Sequence, residues 1–169
     1  MIGDGDGASE KAYGQLLLPY LEDPENAFVV SSDFCHWGRN FQYWQYCSSA
    51  DFTKLRSLSP HGGSHPDPSE PPIHEFIQTL DKAAFKAIES GVQAKFVEYL
   101  HLTENTICGR HPISVVMAAL SLLSDRSKAP EVVCSTRKQK FTFVRYERSN
   151  LATTTSDSSV SYGSAYATL

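Results

Sequence analysis

The chain has 169 residues with a formal net charge of −4, and 41% of them are hydrophobic and 20% charged, the proportions of one ordinary globular domain. That acidic balance supplies no electrostatic attraction to nucleic acid or to an anionic membrane. No apolar run approaches the ~20 residues that cross a bilayer.

In chain order, residues 8–18 have helical spacing, with Ala12, Leu16 and Leu17 sharing an apolar face and Glu10 and Lys11 in solvent. Pro19 kinks or ends this helix, and Asp23-Pro24-Glu25-Asn26 breaks it. Residues 27–32 form an unalternating apolar run, expected as a strand buried on both faces. An aromatic-rich irregular stretch follows over 34–46. Residues 57–72 contain Gly62-Gly63 and prolines 60, 66, 68, 71 and 72, which marks a surface loop or insertion. Helical spacing returns in Ile73, Ile77, Leu80, Ala84 and Ile88 and ends near Gly91. A shorter helix follows with Val92, Phe96, Tyr99 and Leu100 on one side. Pro112 starts another, whose core stripe is Ile113, Val116, Met117, Leu120 and Leu123. Two strands close the chain. Residues 138–146 alternate, with Phe141, Phe143 and Arg145 on one side. Residues 160–167 set Val160, Tyr162 and Ser164 against Ser161, Gly163 and Ala165. The sum is an α/β fold, a sheet with flanking helices, in one domain over 1–169.

The first residues, Met1-Ile2-Gly3-Asp4-Gly5-Asp6, lack the basic start and apolar centre of a signal peptide. The expected compartment is therefore the cytosol or nucleus, where Cys35, Cys47, Cys108 and Cys134 are free thiols or ligands rather than disulfides. Met1-Ile2-Gly3 also reads as the end of a buried strand entering a Gly/Asp-rich loop, so the chain is expected to be the latter part of a larger, here incomplete, fold.

Three polar clusters carry the chemistry. Asp33, Cys35 and His36 follow the 27–32 run, where parallel sheets place functional groups. A carboxylate there can accept a proton, orient an imidazole or bind a metal, and the imidazole can act as acid or base. Equally, Asp33 can cap a turn and His36 can be a half-buried structural histidine. The second cluster, Asn105 to Pro112, contains Cys108-Gly109-Arg110-His111, whose C-x-x-H spacing has no second pair, so structural zinc is not expected. Cys108 can serve as a nucleophile beside His111 or His36, Gly109 allows close backbone approach, and Arg110 can hold an anion or an internal carboxylate. Ser156 to Tyr162 forms the third cluster, and an α/β fold can gather all three at one end of a sheet. His61, His65 and His74 beside the Pro/Gly loop read as chance composition. Tyr43, Trp44 and Tyr46 form either a peptide-binding surface or core packing.

Taken together, the blocks 28–38, 105–113 and 157–162, with Leu21-Glu22-Asp23-Pro24-Glu25-Asn26 and the helix over 73–89, resemble the Memo family (mediator of receptor-tyrosine-kinase-driven cell motility). The resemblance spans almost the whole chain, apart from the Pro/Gly insertion and residues 129–148. It implies an α/β fold similar to that of class III extradiol dioxygenases, of which this chain is the C-terminal half. It further implies a pocket with affinity for iron or copper, in which Cys108 is the metal-coordinating thiolate and Asp33 and His36 line the same space; His111 falls in a matching motif but is not expected as a ligand. Further histidine ligands belong to the family's other half, so the site is expected to be incomplete here and the 27–32 strand to carry an open apolar edge. The function implied is a redox or signalling role with no dioxygenase catalysis assumed from the fold. The alternative it implies is a non-catalytic adaptor that binds phosphotyrosine peptides in motility or cytoskeletal signalling.

Overall fold

The computed structural model describes residues 7–58, 66–126 and 139–168. Four helices and five strands follow one another: α1 (Gly7–Leu21), β1 (His36–Gly38), β2 (Gln45–Tyr46), β3 (Arg56–Ser57), α2 (Ile73–Glu89), α3 (Gln93–Thr103), α4 (Arg110–Arg126), β4 (Thr142–Arg148) and β5 (Ser158–Tyr166), with a single 3-10 turn at Phe52–Lys54. The main sheet has the order β1-β5-β4, and β2 pairs with β3 in a small second one. Every described pair is antiparallel, so the α/β class holds, while the parallel arrangement expected around Asp33 does not occur among the described residues. No helix among the described residues is long and apolar enough to cross a membrane.

The 3.6-residue spacing of α2 works as the sequence requires. Ile73, Ile77, Leu80, Ala84 and Ile88 are all buried, each large side chain contributing roughly 1.5–3 kcal/mol of apolar transfer. They meet Phe34, Tyr46, Phe96, Ile107, Ile113 and Met117 in the main core. In α4, Ile113, Met117, Leu120 and Leu123 are buried as expected. The helix begins at Arg110, with Pro112 in its first turn. Val92 does not join the α3 stripe: it stands half-exposed at the N-cap, while Phe96 and Tyr99 are buried.

Helix α1 turns a different face inward from the one its leucines suggested. Glu10, Gly14, Leu18 and Leu21 are buried, whereas Leu16 is 68% exposed. Gly14 decides this orientation. A Cβ there would lie 3.0 Å from Ala119 N and 3.1 Å from Val115 O, so only the hydrogen lets α1 close onto α4. Pro19 sits inside the helix, which runs on to Leu21.

Two strand expectations need correction. Residues 27–32 are not a strand, and Val29 is 94% exposed. Pairing with β5 starts only beyond Asp33, where the Phe34 N–H donates to Ser161 O (2.8 Å) and the Ser161 N–H to Cys35 O (3.0 Å). An apolar run records what a chain can bury, not whether a ladder partner lies beside it. Arg145 is exposed rather than level with Phe141 and Phe143, because the register shifts between Phe143 and Arg145. The extra residue reverses the alternation and turns Tyr146 inward instead. The β5 alternation holds, with Ser159 and Ser161 buried and Tyr162 exposed. The loop expected over 57–72 is described at its two ends only; His61, His65 and Cys134 lie outside the described residues, as does the start of the strand expected from 138.

Candidate metal centre

The segment entering β1 is anchored by its apolar residues. Phe34 (2% exposed) packs edge-on against Phe85 and Phe143, and Cys35 is fully buried. Between these anchors and solvent the flanking side chains Asp33 and His36 face one another, His36 Nε2 lying 3.7 Å from Asp33 Oδ2. Cys108 arrives from the turn between α3 and α4, where buried Ile107 fixes the chain just before it. The two segments are stitched together. The Asp33 N–H donates to Cys108 Sγ (3.1 Å), the Gly109 N–H donates to Ser32 Oγ (3.0 Å), and Ser32 Oγ donates to Asp33 O (2.9 Å). Gly109 is needed for this approach: a Cβ would fall 2.6 Å from Ser32 Oγ and 2.7 Å from Ser31 O, closer than atoms pack.

One carboxylate oxygen, one imidazole nitrogen and one sulfur, from Asp33, His36 and Cys108, thereby lie within 4.8 Å of one another. Metal bonds of about 2.0–2.3 Å put ligands roughly 3–4 Å apart, a difference that rotation of the half-buried Asp33 and exposed Cys108 side chains would close. The donor chemistry fits as well. A thiolate with an imidazole and a carboxylate suits iron, copper or zinc better than magnesium or calcium. His36 is held by its other face, with Nδ1 2.8 Å from Thr106 O and the ring edge-on to Phe41.

Comparison with known proteins identifies the family of the chain. The family described as Memo-like protein matches residues 1–166. The chain belongs to the Memo family. It is 36% identical over 167 residues to a MEMO1 family protein of Schizosaccharomyces pombe, covering 99% of this chain and 50% of that one. It is 36% identical to Protein MEMO1 of Danio rerio over 162 residues, covering 96% and 45%, and 34% identical to Protein MEMO1 of Homo sapiens over 169 residues, covering 100% and 47%. The chain spans about half the length of the curated relatives it matches.

Within this Memo-family chain, the residues singled out from sequence separate into two groups. Asp33, His36 and Cys108 converge. His111 does not: its Nδ1 lies 2.8 Å from Glu10 Oε1, inside a buried network where Ser114 Oγ and Gln93 Nε2 also donate to Glu10 (2.7 and 2.9 Å). Glu10, expected in solvent, is only 5% exposed. Asp157 caps its own loop, accepting from the Thr153 and Thr154 N–H groups (2.9 and 2.8 Å), and these bonds hold its carboxyl below the usual range. The third cluster thus supplies β5, the strand that pairs with β1, rather than a ligand. Tyr43 and Tyr46 are buried, donating to Thr103 O and Pro71 O, and Trp44 donates to Thr155 O. They are packing, not a peptide-binding surface. Cys35 is unsuited to ligation, since burial, and then the nearby Asp81 charge, push its thiol well up.

Ser32 and Thr106 lie within the blocks 28–38 and 105–113 but carry no role legible from spacing, and Asp81 lies outside those blocks. Asp81 is fully buried. It accepts from the Cys35 N–H (3.1 Å), Asn105 Nδ2 (3.4 Å) and Tyr146 OH (3.2 Å). Burial raises its carboxyl from 3.8 to about 6 against the opposing pull of these donors and of Ser161. A signal existed, because Asp81 sits at helical spacing from Ile77, Ala84 and Ile88, on the buried stripe. A cavity of about 890 Å³ lies beside the cluster, bounded by Phe28, Val30, Ile113, Leu120 and Phe143, and Ser32 connects the two.

Proposed function

We propose that Asp33, His36 and Cys108 are the ligands through which this Memo-family chain takes part in binding a redox metal, iron or copper. The observation that carries the reading is the convergence of three chemically different donors within 4.8 Å, from segments 75 residues apart in sequence. When bound, such a metal supplies one-electron chemistry at an open coordination position. The chain's own part is to hold the donors: β1 and its apolar anchors fix Asp33 and His36, and the Ser32–Gly109 contact fixes Cys108. The function that follows is a redox role in signalling rather than ring cleavage. A reducing compartment, cytosol or nucleus, suits this chemistry, and Cys35, Cys47 and Cys108 are all free thiols.

Competition against a chelator of known affinity, with ferrous iron and with copper(I), tests the reading. Cys108→Ser is expected to weaken binding by more than the ~10–100-fold that loss of an outer hydrogen bond costs a metal site, and His36→Ala and Asp33→Asn to weaken it as well. Unchanged affinity in Cys108→Ser would remove the assignment.

A further inference from the structure

We infer that Thr106 is a positioning residue that fixes the tautomer of His36 and aims its Nε2 at the Asp33–Cys108 cluster. The inference rests on the metal-site reading above and gives a role to Thr106, a member of the second sequence cluster to which the sequence assigns none. Three contacts join these two residues. The His36 N–H donates to Thr106 Oγ1 (2.7 Å), Thr106 Oγ1 donates to His36 O (3.0 Å), and His36 Nδ1 lies 2.8 Å from Thr106 O.

The last contact determines where the ring proton sits. A backbone carbonyl has only lone pairs to offer, so Nδ1 must be the protonated nitrogen. In the neutral ring the lone pair is then on Nε2, the nitrogen that faces Asp33 Oδ2 at 3.7 Å. The threonine hydroxyl holds this arrangement in register by bridging the amide and the carbonyl of the residue whose ring it orients. With only one proton, it can serve both backbone groups only by accepting from one and donating to the other, as observed.

The pairing is itself anchored from below. Cys35 and Asn105, the residues immediately before His36 and Thr106, both donate to Asp81 Oδ1 (3.1 and 3.4 Å), and Asn105 Nδ2 also donates to Tyr99 OH (2.8 Å). One buried carboxylate thus ties both segments of the contact to α2, and the next residue after Thr106, Ile107, is fully buried in the core. Any slide of the 105–108 turn along β1 would break the bonds to Asp81 and to His36 together. Cys108, two residues on from Thr106, is placed by the same turn.

The test uses the full chain and compares Thr106→Val, which keeps the shape without the hydroxyl, with Thr106→Ser, which keeps the hydroxyl. Nitrogen-15 NMR of the metal-free chain at mildly alkaline pH reads the His36 tautomer, and chelator competition with copper(I) reads affinity. The wild-type ring is expected as the Nδ1–H form. Thr106→Val is expected to lose that single tautomer and to weaken copper(I) binding by about 10–100-fold, and Thr106→Ser to restore both. An Nε2–H ring in the wild type overturns the inference whether or not any variant folds. So does a Thr106→Val protein with wild-type tautomer and affinity, or a serine variant as impaired as the valine one. If the wild type binds no metal but shows the Nδ1–H ring, lost in valine and kept in serine, the metal reading fails while the positioning role stands.

Discussion

Replacing Asp81 with asparagine isolates the cost of a buried charge beneath the candidate centre. Two effects compete at this carboxyl. Four donors, from Cys35, Asn105, Tyr146 and Ser161, favour the ionised form, and burial disfavours it; burial wins, lifting the group from 3.8 to about 6. Below pH 3.8 the carboxyl is protonated in both the folded and the unfolded chain. As the pH rises the unfolded chain releases its proton first, so the folded state binds more protons within this window and its stability falls with rising pH. The interval between 3.8 and about 6, at 1.36 kcal/mol per pH unit, makes the loss about 3 kcal/mol, complete above about pH 6. Asparagine cannot ionise. Urea denaturation of both proteins from pH 3.5 to 7.5 is expected to show the variant gaining about 3 kcal/mol on the wild type across the window, whatever constant offset its altered hydrogen bonds add. A difference that stays flat would show that the Asp81 carboxyl titrates alike in the folded and unfolded chain. A wild type that gains on the variant as the pH rises would show that the donors, not burial, win.

Gly109→Ala is expected to destabilise the chain by about 1–3 kcal/mol, the range for an overpacked contact, because the new methyl group meets Ser32 and the Ser31 carbonyl. Thermal unfolding checks the size, and faster reaction of Cys108 with a disulfide reagent checks that the turn has loosened. Glu10→Ala should cost about 3 kcal/mol in chemical denaturation, since it removes the shared acceptor of buried Ser114 and of the part-buried Gln93 and His111. Glu10→Gln should recover part of that loss, as its remaining amide oxygen still accepts.

How far the sequence reveals this molecule depends on the kind of signal. Long amphipathic helices announce themselves, and the α2 stripe from Ile73 to Ile88 is buried as its spacing demands. Helix α1 misled because leucines mark apolar surface, whereas a glycine sets how closely two helices pack; Gly14, not Leu16, faces α4. The 27–32 run misled because strand formation depends on a partner that the segment's own residues do not specify. Arg145 misled because a bulge leaves no mark in a short alternating strand. At the centre, Asp33, His36 and Cys108 are legible as reactive residue types in dense clusters. Ser32 and Thr106 are not, since a hydroxyl bridging two backbone segments has no characteristic spacing and acquires its role only when the segments meet. Asp81 and Glu10 fall between these cases. Each is an acid at the same helical spacing as buried neighbours, a pattern that points to a buried carboxylate and its donors.

The most direct test of the central claim is an anaerobic cobalt(II) titration of the full chain followed by visible absorption, which reports whether a cysteine sulfur binds the metal. Among the described cysteines only Cys108 is exposed, Cys35 and Cys47 being buried. Ligation by Cys108 gives a thiolate-to-metal band that saturates at one equivalent and disappears in Cys108→Ser. No band in the wild type, or an equal band in Cys108→Ser, would contradict it.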